Sequence, residues 1–136
     1  MVALTGSSRV GVLARNDNAE RETKPIYFSE LRGRKVVNLY VDEHCVLIII
    51  RNCFCETLEW AECSEQCEKS KENLVFAWGE NALGQVDYGN ETLFFEKPTL
   101  ARELIGKKIE GLGGWRGSYV AYDEEGNVFF CYNYLC

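Results

Sequence analysis

Four cysteines, Cys53, Cys55, Cys63 and Cys67, fall within fifteen residues of one another. Zinc takes thiolates in tetrahedral sets of four, so the cluster reads either as a metal site or as free thiols in a loop. Cys-x-Cys, seven intervening residues and then Cys-x-x-x-Cys is not the paired two-residue spacing of common zinc modules. With no Cys-x-x-Cys motif, a redox role is disfavoured as well. His44 is the only histidine. As a catalytic base it would need a nucleophile and an orienting carboxylate. Asp42 and Glu43 are close in sequence, but successive side chains on a strand point to opposite faces, which favours a structural histidine. Gly111-Leu112-Gly113-Gly114 follows a strand-like run, but neither a helix start nor the Lys-Ser/Thr of a phosphate-binding loop follows it. No catalytic residue and no cofactor are expected.

Two further groups bear on binding. Glu56, Glu59, Glu62, Glu65 and Glu68 recur every third residue, with Trp60 among them. On a helix that spacing drifts round the surface, so the run reads as a solvated loop or a short helix. Glu56, Glu59, Trp60, Glu62 and Glu65 are the candidate contacts for a basic protein partner. Trp78 and Trp115 could line a ligand site, but large aromatic rings more often serve packing.

The chain that must position these residues has 136 of them, 46% hydrophobic, with a net charge of −6. That suffices for one packed domain. The acidic balance argues against a nucleic-acid surface, since phosphate recognition draws on excess Lys and Arg. The basic stretch Arg32-Gly33-Arg34-Lys35 reads as a turn between strands. No stretch reaches the roughly 18 consecutive apolar residues of a membrane-spanning helix. The first residues lack the basic and apolar regions of a signal peptide. An odd total of seven cysteines without such a signal implies a reducing compartment, cytoplasm or nucleus.

The pattern is that of strands. Residues 35–41 are rich in β-branched types, and 44–50 hold a continuous apolar run that predicts a strand buried on both faces. Residues 74–78, 108–112, 118–122 and 127–132 behave alike, with a glycine turn at 123–127 in which Gly126 supplies positive φ. Residues 99–104 could form one helical turn. Residues 51–73 interrupt a hairpin and read as an insertion.

The chain also repeats itself. At an offset of 73, Val2–Gly6 falls on Val75–Gly79, Gly11 on Gly84, Pro25 on Pro98, Leu31 on Leu104, Gly33 on Gly106 and Lys35 on Lys108. Two units follow, about 1–73 and 74–136. Repeat units of this length each form a small element that needs neighbours to bury its apolar face.

The segment Phe76-Ala77-Trp78-Gly79-Glu80-Asn81-Ala82-Leu83-Gly84-Gln85 resembles the signature of the regulator-of-chromosome-condensation repeat: an apolar strand, Trp-Gly, a polar residue, Asn, two residues, Gly-Gln. Pro98, the stretch 104–109, and Gly114 followed by two strands around Gly126 fit the same pattern, as does His44 in the first unit. The likeness spans the chain outside 51–73. The first unit departs from it with Thr5 in place of Trp78, Val12 in place of Gln85 and Val41 in place of Gly114. The second has Gly117 where His is expected, and Phe130-Cys131-Tyr132-Asn133 stands where a third motif would begin.

The resemblance implies an all-β fold, a partial or truncated β-propeller built from two four-stranded blades. In it Gly79 and Gly84 permit backbone turns, Trp78 fills the wedge between blades, and Gln85 bonds the loop beside it. It implies a non-catalytic protein-binding module. The alternatives are a guanine-nucleotide exchange factor for a small GTPase, since some members act on the GTPase Ran, and a zinc-stabilised interaction loop at 53–67. About two blades would leave edges and faces open, to be closed by a homo-oligomer, by another propeller chain or by further blades.

Overall fold

The computed structural model describes residues 3–6, 22–32, 34–42, 44–51, 73–87, 89–115 and 118–131. Among the described residues the regular elements are nine strands and two short 3₁₀ turns, with no α-helix. These strands form three antiparallel sheets. The first pairs β1 (Ala3–Gly6) with β2 (Glu22–Tyr27). The second is a meander of β3 (Lys35–Val41), β4 (Cys45–Arg51), β5 (Asn73–Glu80) and β6 (Phe94–Leu100). The third joins β7 (Ile109–Trp115), β8 (Ser118–Asp123) and β9 (Val128–Cys131). One 3₁₀ turn, Ser29–Leu31, links β2 to β3; the other, Arg102–Leu104, links β6 to β7.

The sheet boundaries do not follow the sequence units. The four-stranded sheet takes β3 and β4 from before residue 73 and most of β5 and all of β6 from after it. Arg51 pairs with Asn73, so residues 52–72 connect the two strands of one antiparallel pair. Moved by 73, β1 falls within β5, β2 within β6, Ser29–Leu31 on Arg102–Leu104, β3 on β7 and β4 on β8. The strand after β8 follows the same register with a different offset. Ile48 pairs with Phe76, and Ala121, which is Ile48 plus 73, pairs with Phe129. Phe129 lies 53 positions after Phe76, so the β4–β5 connection holds 20 residues (73 − 53) more than the β8–β9 turn. By this register Cys131, opposite Tyr119, stands level with Trp78, opposite Val46; the motif alignment would have put Phe130 there.

The core lies on both faces of the four-stranded sheet. Cys45 to Ile50 are all inaccessible to solvent, which is why this run has no polar alternation. Cys45, Leu47 and Ile49, with Val75 and Ala77, pack against Leu104, Ile109, Tyr119 and Ala121 of the third sheet and its approach. Val46, Ile48 and Ile50, with Trp78, pack against Leu31 and Phe28 on the other side. Leu31 and Leu104, 73 apart, thus plug the two faces in turn. The Asn73 side-chain amide ties the second sheet to the third, donating to the Ile109 carbonyl at 2.9 Å.

β6 contains Pro98, Glu96 and Lys97, which conceal it as a strand in the sequence. Among the described residues it pairs with β5 alone, at the sheet's edge, where a residue without an N–H is tolerated.

Candidate functional site

The residues of the repeat signature form one end of the four-stranded sheet. Gly79 (φ 114°) and Gly84 (φ 78°) occupy a backbone region that a side chain resists, and between them the chain turns out of β5. Asn81, nearly inaccessible, organises the turn. Its side-chain NH₂ donates to the carbonyls of Thr92 (2.8 Å), Asp87 (3.3 Å) and Asn90 (3.3 Å). Its Oδ1 accepts the amides of Val86 and Asp87, both at 2.9 Å. Gln85, also buried, accepts the Leu83 amide at 2.8 Å. Trp78 is inaccessible, with its ring centroid 5.3 Å from that of Phe28. Its Nε1 has no hydrogen-bond partner among the described residues.

His44 stands beside this end. Its Nδ1 lies 2.7 Å from Glu80 Oε2, across the β4–β5 pair, and its carbonyl accepts the Glu80 amide at 2.8 Å. Asp42 Oδ1 accepts the amides of His44 (2.7 Å) and Cys45 (2.8 Å), and Asp42 Oδ2 accepts the Tyr40 hydroxyl (2.8 Å). Burial, then the bond to Asp42, pushes the Tyr40 phenol well up. Burial chiefly raises the Cys45 thiol too, so it stays a neutral core group at ordinary pH. These polar contacts close the β3–β4 turn. Glu80, 36 residues away in sequence, is a carboxylate neighbour of the histidine ring. Sequence spacing gave no sign of it.

Gly114 serves a close approach. A Cβ there would lie 2.4 Å from the Ser118 carbonyl oxygen and 2.9 Å from the Tyr40 ring. Gly126 has φ 84° in the β8–β9 turn. There Asp123 accepts the amides of Glu125 and Asn127 and the Asn127 side chain. The candidate contacts Glu56, Glu59, Trp60, Glu62 and Glu65, and the cysteines Cys53, Cys55, Cys63 and Cys67, lie outside the described residues. Among the described residues no His, Cys, Asp and Glu group has the geometry to hold a metal. No helix among them is long and apolar enough to cross a membrane.

The feature that sequence reasoning missed is an open apolar face on the third sheet. Inward-pointing Tyr119 and Ala121 alternate with Val120 and Tyr122. Val120 pairs with Gly113 and Phe130, Tyr122 with Gly111 and Val128, so these residues share the outer face. The Tyr122 ring covers Gly111, where a Cβ would lie 2.1 Å from it. Tyr122, Val128 and Phe130 are 46, 51 and 62% exposed. Trp115, expected to pack, is 74% exposed at the end of the same sheet.

No protein-family model matches the chain, and no curated protein matches it.

Proposed function

We propose that this chain is a non-catalytic protein-interaction module built as a partial propeller, and that it binds through the outer face of β7–β9. The observation that carries the reading is this exposed row of Tyr122, Val128 and Phe130 on a regular sheet face. Contiguous apolar surface of that kind, bordered by charged residues such as Glu110, Glu124 and Glu125, marks a contact site more than a solvated one. The propeller part of the reading is supported by the recurrence of β1, β2, the 3₁₀ turn, β3 and β4 at one offset, and by the packing of successive sheets face to face. The Trp-Gly-x-Asn-x-x-Gly-Gln resemblance supports it independently.

A photo-crosslinking side chain at position 130 tests the reading in cells, with position 97 on the solvent side of β6 as control. The module reading expects protein adducts from 130 and few from 97. Equal yields, or none from 130, would overturn it.

A further inference from the structure

We propose that the partner of the open β7–β9 face is a second copy of this chain, docked head to tail on an apolar strip along β3. This deepens the interaction-module reading and rests on it, by naming what the face binds.

In the middle sheet, Leu47 pairs with Ala77 and Ile49 with Val75, and all four are buried under the third sheet. Seventy-three residues after Leu47 and Ile49 stand Val120 and Tyr122, paired in the same register with Phe130 and Val128. The open face is therefore the counterpart of a face that this molecule covers with a sheet of its own.

The β3 part of the other half of the same contact is also exposed. Val36, Leu39 and Val41 pair with Ile50, Ile48 and Val46 and so share the sheet face that holds Trp78. Ile50, Ile48 and Val46 are inaccessible, whereas Val36, Leu39 and Val41 are 37, 48 and 42% exposed. The cover supplied by Phe28 and Leu31 stops before β3. At the offset of 73, Val36 and Leu39 correspond to Ile109 and Leu112, which pack under the middle sheet. Each copy thus carries one face of this contact twice and the β3 part of the other side twice, the remainder of that second side, Val46 and Ile48, being already covered within the copy. One face and its strip are joined internally, and the other two lie open on opposite sides of the molecule.

Charge agrees with that placement. In the internal contact the Asn73 end of β5 lies at Ile109. Repeating the contact between copies sets the β8–β9 turn of one, with Glu125 and with Glu124, which pairs with Lys108 of its own chain, beside the start of β3 in the next. There Lys35 and Arg51, both exposed, pair across the strands. Opposite charges at matching ends fix the register of such a contact.

The area sets its strength. The receiving strip is one strand about 4.8 Å wide and seven residues long and presents roughly 110 Å², against about 800 Å² per partner in a standard stable interface. The association is weak and concentration-dependent. Because the two surfaces differ, it does not stop at two copies unless a ring closes.

The test is the solution mass of the full chain, by light scattering or sedimentation, from about 5 to about 500 µM, a range that reads weak constants. Wild type is expected to rise from one chain to beyond two. Phe130→Glu, which disables the face, and Leu39→Glu, which disables the strip, are each expected to stay at the mass of one chain. Mixed in equal amounts, they are expected to reach two chains and no more, because one intact face then meets one intact strip. Recovery on mixing separates docking from added negative charge, which the mixture retains. Should either variant lose its melting transition, Tyr122→Lys and Val41→Lys take their places.

A monomeric wild type, a self-associating Leu39→Glu variant, or a mixture that stays at one chain overturns the proposal. Crosslinks from position 130 to a different protein, with wild type monomeric, overturn self-docking and leave the module reading standing. Absence of any crosslink from 130 removes both.

Discussion

Leu47, Ile49, Val75 and Ala77 on the middle sheet, and Val120, Tyr122, Val128 and Phe130 on the third, hold the same register and point the same way along the stack. The first four are sealed by a neighbouring sheet; of the second four, Tyr122, Val128 and Phe130 stand open to solvent. Side-chain type is set by the repeat, burial by what lies on top. An apolar strand residue in this chain therefore does not report its own exposure. The same holds for two of the three tryptophans, Trp78 in the core and Trp115 at the open end. In repeat architectures stability is a sum of unit and interface contributions, so the middle sheet, flanked on both sides, should carry most of it.

Truncation breaks the comparison most directly. Ile49→Ala removes a fully buried side chain and should destabilise by about 2–5 kcal/mol in chemical denaturation. On the open side Val128→Ala, at the position level with buried Val75, should cost within about 0.5 kcal/mol in dilute solution. Equal losses would mean that the two faces are equally buried. Asn81→Ala should cost about 2–3 kcal/mol, because the buried Val86 and Asp87 amides lose their acceptor. A thermal melt that leaves Asn81→Ala near wild type would remove the loop from the account of stability.

Gly114→Ala tests where the sheets meet. The new methyl would sit against the Ser118 carbonyl and the Tyr40 ring, and overpacking of this kind costs about 1–3 kcal/mol. The loss should fall on the contact between β3 and β7, seen as faster amide exchange there before the middle of β4 responds.

The smallest effect is pH-dependent. The Asn127 side chain above all, with the backbone amides of the turn, holds the Asp123 carboxyl below its ordinary value. A carboxylate with a depressed folded pKa contributes stability that is present above its unfolded value, about 3.9, and is lost as pH falls through the folded value. The β8–β9 turn should therefore loosen below pH ~4, and Asp123→Asn should lessen that acid sensitivity. An unchanged pH profile of turn amide exchange in Asp123→Asn would contradict this.

Much of the fold could be read from local pattern. The run from Cys45 to Ile50 announced a strand buried on both sides, because only a doubly covered strand can do without polar alternation. Asp123 to Asn127 read as a turn, and residues 51–73 read as an interruption of a hairpin; Arg51 and Asn73 at its two ends pair with each other. The segment 99–104 holds its helical turn at Arg102–Leu104, but the strand before it was concealed by Pro98 and two charges, tolerable only at an edge. The link of His44 to Glu80 and the open sheet face depend on what lies across a strand pair or above a sheet. Neither is encoded in neighbouring residues. The all-β class was legible; the candidate site, an exposure difference between equivalent positions, was not.

The most direct measurement is hydroxyl-radical footprinting of the native chain, read by mass spectrometry at low and at high protein concentration. Trp78 should stay unmodified throughout. Tyr122 and Phe130 should be modified readily in dilute solution and become protected as concentration rises. Phe130 as protected as Trp78 in dilute solution would contradict the open face, and with it the reading of this sheet as the surface through which the chain binds.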